Sequence, residues 1–227
     1  MIEIHPIPGI PEVQAGDDLA GLIAEALPFD LAEGDIVVVT HKVVSKAEGA
    51  VAAIIDEADY RRLVFDEASA VIRRRGDLII AETKHGFVCA NAGVDRSNAA
   101  PGTAVLLPRD PDKSAHALRR RLQEHSGVGL GVIITDTFGR AWRTGVVDVA
   151  LGVSGVIAVL DLRGRPDASG RQMDVTEIAV ADEIAAAADL AMGKAAAVPV
   201  AVVRGLHLNG LGRGSDLVRD PADDLFR

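Results

Sequence analysis

Residues 131–145, GVIITDTFGRAWRTG, set one carboxylate between two hydroxyls, Thr135-Asp136-Thr137, directly after a branched apolar run. Branched side chains pack well on a pleated face, so 132–134 reads as a buried strand that gives way to a loop at Thr135. Phe138-Gly139 reads as the turn, with Arg140 and Arg143 close behind. An acid flanked by hydroxyls suits a hard divalent cation, and guanidinium groups suit phosphate or carboxylate. Ligands of open α/β sheets collect outside the carboxyl ends of strands. A lone acid that caps the next turn would look the same, so two readings stand at this point.

A second dense stretch is 87–98, FVCANAGVDRSN, where a strand of small residues ends at a glycine and offers Asp95, Ser97 and Asn98. Asp95 repeats the pattern of Asp136, an acid just past a strand end, and two such acids can share divalent ions. A third is Thr40-His41-Lys42-Val43-Val44-Ser45-Lys46, after the apolar run 36–39. Its two lysines either receive a polyphosphate or are solvated residues one helical turn apart. Cys89 lies within an apolar strand and reads as packing rather than as a thiol nucleophile. The arginines 73–75 and 119–121 read as a helix terminus and a solvated helix face.

The elements that must position these groups follow from periodicity and punctuation. Short strands are expected at 2–4, 35–40, 78–81, 173–179 and 199–204. Helices are expected from Asp17 or Asp18 through Leu27, over 60–75 with a glycine stop at Gly76, and over 114–124 with Ser114 as cap. Another is expected over 181–192, ended by Gly193-Lys194. Residues 9–12 form a rigid Gly/Pro turn whose backbone can line a ligand. The apolar, glycine-rich run 146–159 implies close backbone packing, as at a subunit boundary. Strands and helices do not alternate regularly, which predicts a mixed α/β (α+β) protein with several sheets and flanking helices rather than one doubly wound sheet.

Composition bounds the function. The 227 residues carry a formal charge of -9, which argues against a nucleic-acid surface and makes local basic groups necessary for acidic ligands. Aromatics are only 3%, so the core must be aliphatic. One cysteine excludes an internal disulfide, and no signal peptide or membrane-spanning run is evident, so a soluble cytoplasmic protein is expected.

Six ordered segments, GDIVVVTHKVVSKAEG, ETKHGFVCANAGVDRSN, LLPRDPDKSA, ITDTFGRAWRTG, VTEIAVADEIAAAADLAMGK and PVAVVRG, together resemble the coenzyme F-420:L-glutamate ligase (gamma-glutamyl ligase) family. The likeness runs over nearly the whole chain and implies one ligase domain over 1–227, without the nitroreductase-like domain fused in some relatives. It implies a GTP-dependent enzyme that adds L-glutamate to the lactyl carboxylate of the deazaflavin coenzyme F-420 precursor. A gamma-linked oligoglutamate tail is then extended, each step passing through an acyl phosphate. Two magnesium or manganese ions, a monovalent cation such as potassium, and an intertwined homodimer are implied as well.

Carried onto this sequence, the family's metal ligands fall on Asp95, Asp136 and Thr137, the two acids being the expected catalytic residues. Its nucleotide contacts fall on Ile10, Pro11, Glu12, Val13, Lys46 and Asn98. His41 stands at a nucleotide position where relatives often carry Ser. The segment 192–199, with Gly193 and Lys194, matches a nucleotide-enclosing loop in which some relatives place Gln near the second metal. A protonated lysine cannot ligate, so Lys194 is expected to neutralise phosphate. Arg140 and Arg143 are assigned to the acidic substrates on charge alone. Two other classes fit parts of the pattern: a non-catalytic GTP- or cofactor-binding homologue, and a metal-dependent phosphohydrolase.

Overall fold

The computed structural model describes residues 1–226. In chain order the elements are β1 (Glu3–Ile7), α1 (Leu19–Ala26), β2 (Ile36–Thr40), α2 (His41–Ala47), β3 (Val51–Ala53), α3 (Glu57–Glu67), β4 (Ala68–Arg75), β5 (Leu78–Thr83) and β6 (Val88–Ala90). There follow β7 (Thr103–Val105), α4 (Pro111–Ser126), β8 (Gly131–Arg140), β9 (Arg143–Ser154), β10 (Leu160–Asp161), β11 (Glu177–Ile178), α5 (Val180–Met192) and β12 (Val200–Arg204). The fold is mixed α/β with several sheets, as expected from the irregular alternation.

The main sheet has the order β1-β12-β2-β8-β9. Only β2 and β8 run parallel; every other neighbour is antiparallel. The centre is IVVVT, VAVVR and GVIIT because strands covered on both faces need continuous branched apolar residues. Val37, Val39, Val132 and Ile134 point to a core closed by α1 and α4. Ile36, Val38, Ile133 and Val203 point to a second core closed by α5. Pro6 lies in β1, an edge strand, where the missing amide costs no ladder bond on its open side. Smaller sheets, β4-β5-β6 and β3-β7, carry their own core of Tyr60, Val64, Ile79 and Ala104 beneath α3.

Several expectations need correction. The helix expected over 60–75 ends at Glu67, and Ala68–Arg75 is a strand paired with β5. The adjacent β-branched Val71 and Ile72 favour the strand, and Gly76, with φ +60°, is a hairpin turn rather than a helix stop. Arginines 73–75 therefore lie on a strand. The helix expected to start at Ser114 starts at Pro111, with Asp110 as cap accepting from the Lys113 amide at 3.1 Å. Ser114 instead donates to the Asp110 carbonyl from inside that helix. The strand expected over 173–179 shrinks to the two residues of β11. Asp18 caps α1 as expected.

The largest correction concerns the opening motif. β8 does not stop at Thr135 but runs to Arg140, and the turn falls at Ala141-Trp142 rather than at Phe138-Gly139. Pairing with β9 carries it onward after β2 has ended, since Thr40 opposite Thr135 is the last parallel pair. Asp136 and Thr137 thus sit within a hairpin arm, one step beyond the carboxyl end of the parallel ladder. The glycine-rich run 146–159 belongs to β9 as far as Ser154. A Cβ at Gly152 would lie 2.1 Å from the Pro111 carbonyl oxygen, so this glycine serves packing of α4 within the chain. Among the described residues no helix is long and apolar enough to cross a membrane.

Candidate active site

The carboxyl end of the β2–β8 parallel ladder opens into a cavity of about 740 Å³. Thr40 passes without a linker into α2, so Lys42 and Lys46 rise from the end of β2. β8 supplies Asp136 and Thr137, and β9 returns Asp148 directly opposite Thr137. The far wall is the end of α5 and the segment after it, with Asp189, Gly193 and Lys194. Gly193 ends the helix at φ +66°, a conformation that favours glycine, and the Thr40 amide bonds the Pro199 carbonyl at 2.9 Å. That bond fastens the enclosing segment to the end of β2. Ile10, Pro11, Glu12 and Val13 line the near side, and Asn98 completes it with φ +55°.

Polar contacts fix the floor. Buried Asp148 accepts from Thr135 Oγ1 at 2.8 Å and from Thr137 Oγ1 at 2.6 Å. Lys194 Nζ donates to the same Thr137 hydroxyl. The Thr137 amide donates to Asp136 Oδ1 at 2.8 Å. His41 is wholly buried behind this floor, with Nε2 3.3 Å from Asp136 Oδ1 and Nδ1 3.4 Å from Ser45 Oγ. The Nε2 approach is close but out of line, so that nitrogen has no hydrogen-bond partner.

Charge is balanced locally. Lys42 Nζ lies 2.6 Å from Asp95 Oδ2, and Lys46 Nζ lies 2.5 Å from Glu12 Oε1. At Asp95 burial opposes the charged form, but Lys42 and two bonds from Ser97 outweigh it and hold the carboxyl below its ordinary range. Asp189 moves the other way, raised by burial and by the negative charge of Asp148 against the pull of Lys194. Cys89 is pushed up to about 12 by burial, reinforced by Asp136, so the thiol stays protonated at neutral pH.

Of the residues expected from the sequence, Ile10, Pro11, Glu12, Val13, Lys46, Asn98, Asp136, Thr137, Gly193 and Lys194 line this one cavity. Asp95 lies outside its lining and reaches it through Lys42. His41 touches Asp136 rather than the cavity. Arg140 and Arg143 do not line it either; both belong to the exposed end of the β8–β9 hairpin, where Arg140 donates to the Thr144 carbonyl at 3.1 Å. Sequence reasoning missed Asp148 and Asp189. Each carried a legible signal, a lone acid in an otherwise apolar run, VVDVALGV in one case and AAAADLAM in the other.

The oxygen donors of this site suit a divalent ion. Asp136, Asp148 and the Thr137 hydroxyl offer oxygen only, the preference of magnesium and manganese. Among the described residues no three His, Cys, Asp or Glu side chains form a ready cage. Magnesium takes one or two protein carboxylates and fills the rest of its octahedron with phosphate oxygens and water, and Asp136 with Asp148 offers two carboxylates here.

A site of lysines and carboxylates at the carboxyl end of a parallel ladder offers alignment and charge neutralisation to anionic groups. The comparisons with known proteins make the assignment specific: the model of the F420-0:gamma-glutamyl ligase family matches residues 9–205, and the chain belongs to that family. It is 44% identical to the coenzyme F420:L-glutamate ligase of Methanopyrus kandleri, covering 100% of this chain and 98% of the relative. Identity to the Methanothermobacter thermautotrophicus protein of the same name is also 44%, with 100% and 99% covered. The Archaeoglobus fulgidus protein of that name is 42% identical, with 100% and 96% covered.

Proposed function

We propose that this chain is a GTP-dependent ligase that joins L-glutamate to the lactyl carboxylate of the deazaflavin precursor of coenzyme F-420 and then extends a gamma-linked glutamyl tail. The observation that carries the reading is the convergence of Lys42, Lys46 and Lys194 with Asp136 and Thr137 on one cavity, in a chain of this family. The acceptor carboxylate oxygen attacks the γ-phosphorus of GTP; the new P–O bond replaces the β–γ bridge, and GDP leaves. The uncharged amine of glutamate then attacks the acyl carbon. A C–N bond forms, the C–O bond to phosphate breaks, and the amine proton passes to a base.

Phosphoryl transfer of this kind needs alignment and charge neutralisation more than covalent help. Lys46 and Lys194 meet phosphate oxygens, exchanging Glu12 and Thr137 for the ligand. Asp136 and Thr137, with Asp148 beside them, would hold a divalent ion, and Asp95 would join as a ligand by exchanging Lys42 for metal. Bound there, such ions would neutralise phosphate charge. The segment 193–199 shields the reacting groups from water, which would otherwise hydrolyse an acyl phosphate. Purified protein incubated with GTP, magnesium, precursor and glutamate should yield product heavier by one glutamyl unit. Release of phosphate without the acceptor would favour a phosphohydrolase instead, and nucleotide binding with neither outcome would favour a non-catalytic homologue.

A further inference from the structure

A second cavity, about 950 Å³, lies on the outer side of β9 and the start of α4, and shares no lining residue with the first. We propose that it is a second ligand site, built for an organic polyanion: a molecule with an apolar body and two or more carboxylate or phosphate groups.

Charge is the first ground. Arg109, Arg119, Arg213 and Lys113 line the cavity against only Asp110 and Asp112, an excess of positive charge in a chain that carries -9 overall. Both acids are already engaged. Asp112 accepts from the amides of Val153 at 2.9 Å, Gly214 at 2.6 Å and Ser215 at 3.3 Å, which ties β9 and the C-terminal segment to α4. Asp110 caps α4 and pairs with Lys113 at 2.7 Å. The guanidinium groups of Arg109 and Arg213 have no carboxylate partner among the described residues. A local cluster of unpaired guanidinium groups repels itself unless an anion joins it, and the fork geometry suits carboxylate or phosphate.

Shape is the second. A cavity of this volume admits a molecule of substrate size rather than a lone ion. Phe87 and Leu151 give it an apolar floor, and the His85 ring stacks on Phe87 with centroids 5.8 Å apart at 24°. His85 Nε2 lies 3.2 Å from the Arg109 carbonyl, while its buried Nδ1 has no partner. Phe87 and Leu151 pack with Phe138 and Val149, which neighbour Asp136 and Asp148 along β8 and β9. Occupancy here therefore bears mechanically on the strands that carry the first site.

The proposal does not rest on the ligase reading, and amide chemical shifts test it directly. Gamma-linked triglutamate and inorganic pyrophosphate are titrated separately into the full chain without nucleotide. Saturable shifts at Lys113, Gly155 and Gly212 are expected, and these should weaken as salt is raised. An Arg109→Ala/Arg213→Ala variant should lose affinity about tenfold or more, with the remaining amide spectrum unchanged. Tighter binding of triglutamate marks a polycarboxylate ligand; tighter binding of pyrophosphate marks a phosphorylated one. Shifts confined to residues of the first cavity, no saturation at millimolar probe, or equal affinity in a folded double variant would each overturn the proposal.

Discussion

His41 Nε2 lies 3.3 Å from Asp136 Oδ1, and the imidazole that makes this approach is wholly buried. The histidine therefore packs directly behind the carboxylate and meets no solvent in the cavity. His41→Ala should leave the affinity for GTP within about twofold but lower kcat about tenfold, equivalent to about 1.4 kcal/mol in the barrier. The void should also cost about 2 kcal/mol of stability. Steady-state kinetics beside thermal denaturation checks both. A rise in the KM for GTP with kcat unchanged would make His41 a nucleotide contact after all.

Lys194 donates to Thr137 at the mouth of the enclosing segment. Lys194→Met keeps the stem and deletes the charge. A charge-assisted bond to phosphate is worth about 1.5–3 kcal/mol, so GTP affinity should fall at least about tenfold. Calorimetric titration with GTP and magnesium reads this, and unaltered affinity would remove Lys194 from the phosphate site.

Asp95 titrates below its ordinary value of 3.8 when folded, because Lys42 and Ser97 outweigh the burial that opposes its charge. Its contribution to stability is thus fully present above pH 3.8 and is lost as pH falls through the lowered folded value. Asp95→Asn should cost about 1 kcal/mol near neutral pH, lowering Tm by about 2–4 °C. Once the pH is below the lowered folded value, the variant and the parent should converge. Melting curves across pH test the sign; a constant gap at every pH would contradict it.

Gly152 packs against the first turn of α4, where a Cβ would meet the Pro111 carbonyl oxygen at 2.1 Å. Backbone on both sides leaves no flexible side chain to move aside. Gly152→Ala should cost about 2–3 kcal/mol and lower Tm by about 5–10 °C. A melting temperature within experimental scatter of the parent would show that the joint between β9 and α4 yields easily.

What the sequence made legible follows from where each signal was local. The branched runs of β2, β8 and β12 announced a buried sheet, and Asp18 announced a helix start. The end of β2 located Lys46, the polar break Thr135-Asp136-Thr137 marked the site although the strand continues through it, and the family likeness supplied the loop with Lys194. Nonlocal pairing was not legible. Asp148 becomes part of the floor only because β9 folds back on β8, and Asp189 only because α5 ends beside them. Arg140 and Arg143 were assigned on charge alone, and the hairpin that carries them extends past the cavity instead of turning into it. Residues 68–75 satisfied a helical spacing by chance; the hairpin at Gly76 and the partner strand decided the matter.

The most direct test of the central claim is glutamyl addition by Asp136→Asn, followed by mass spectrometry with GTP, magnesium, precursor and glutamate. The side chain keeps its size, and His41 keeps a neighbour, but the site loses an anionic oxygen ligand. Turnover should fall at least about a hundredfold while the protein stays folded, a loss of about 2.7 kcal/mol in transition-state stabilisation. A folded Asp136→Asn protein that adds glutamate at nearly the parental rate would contradict the assignment of the cavity around Asp136 as the site of chemistry.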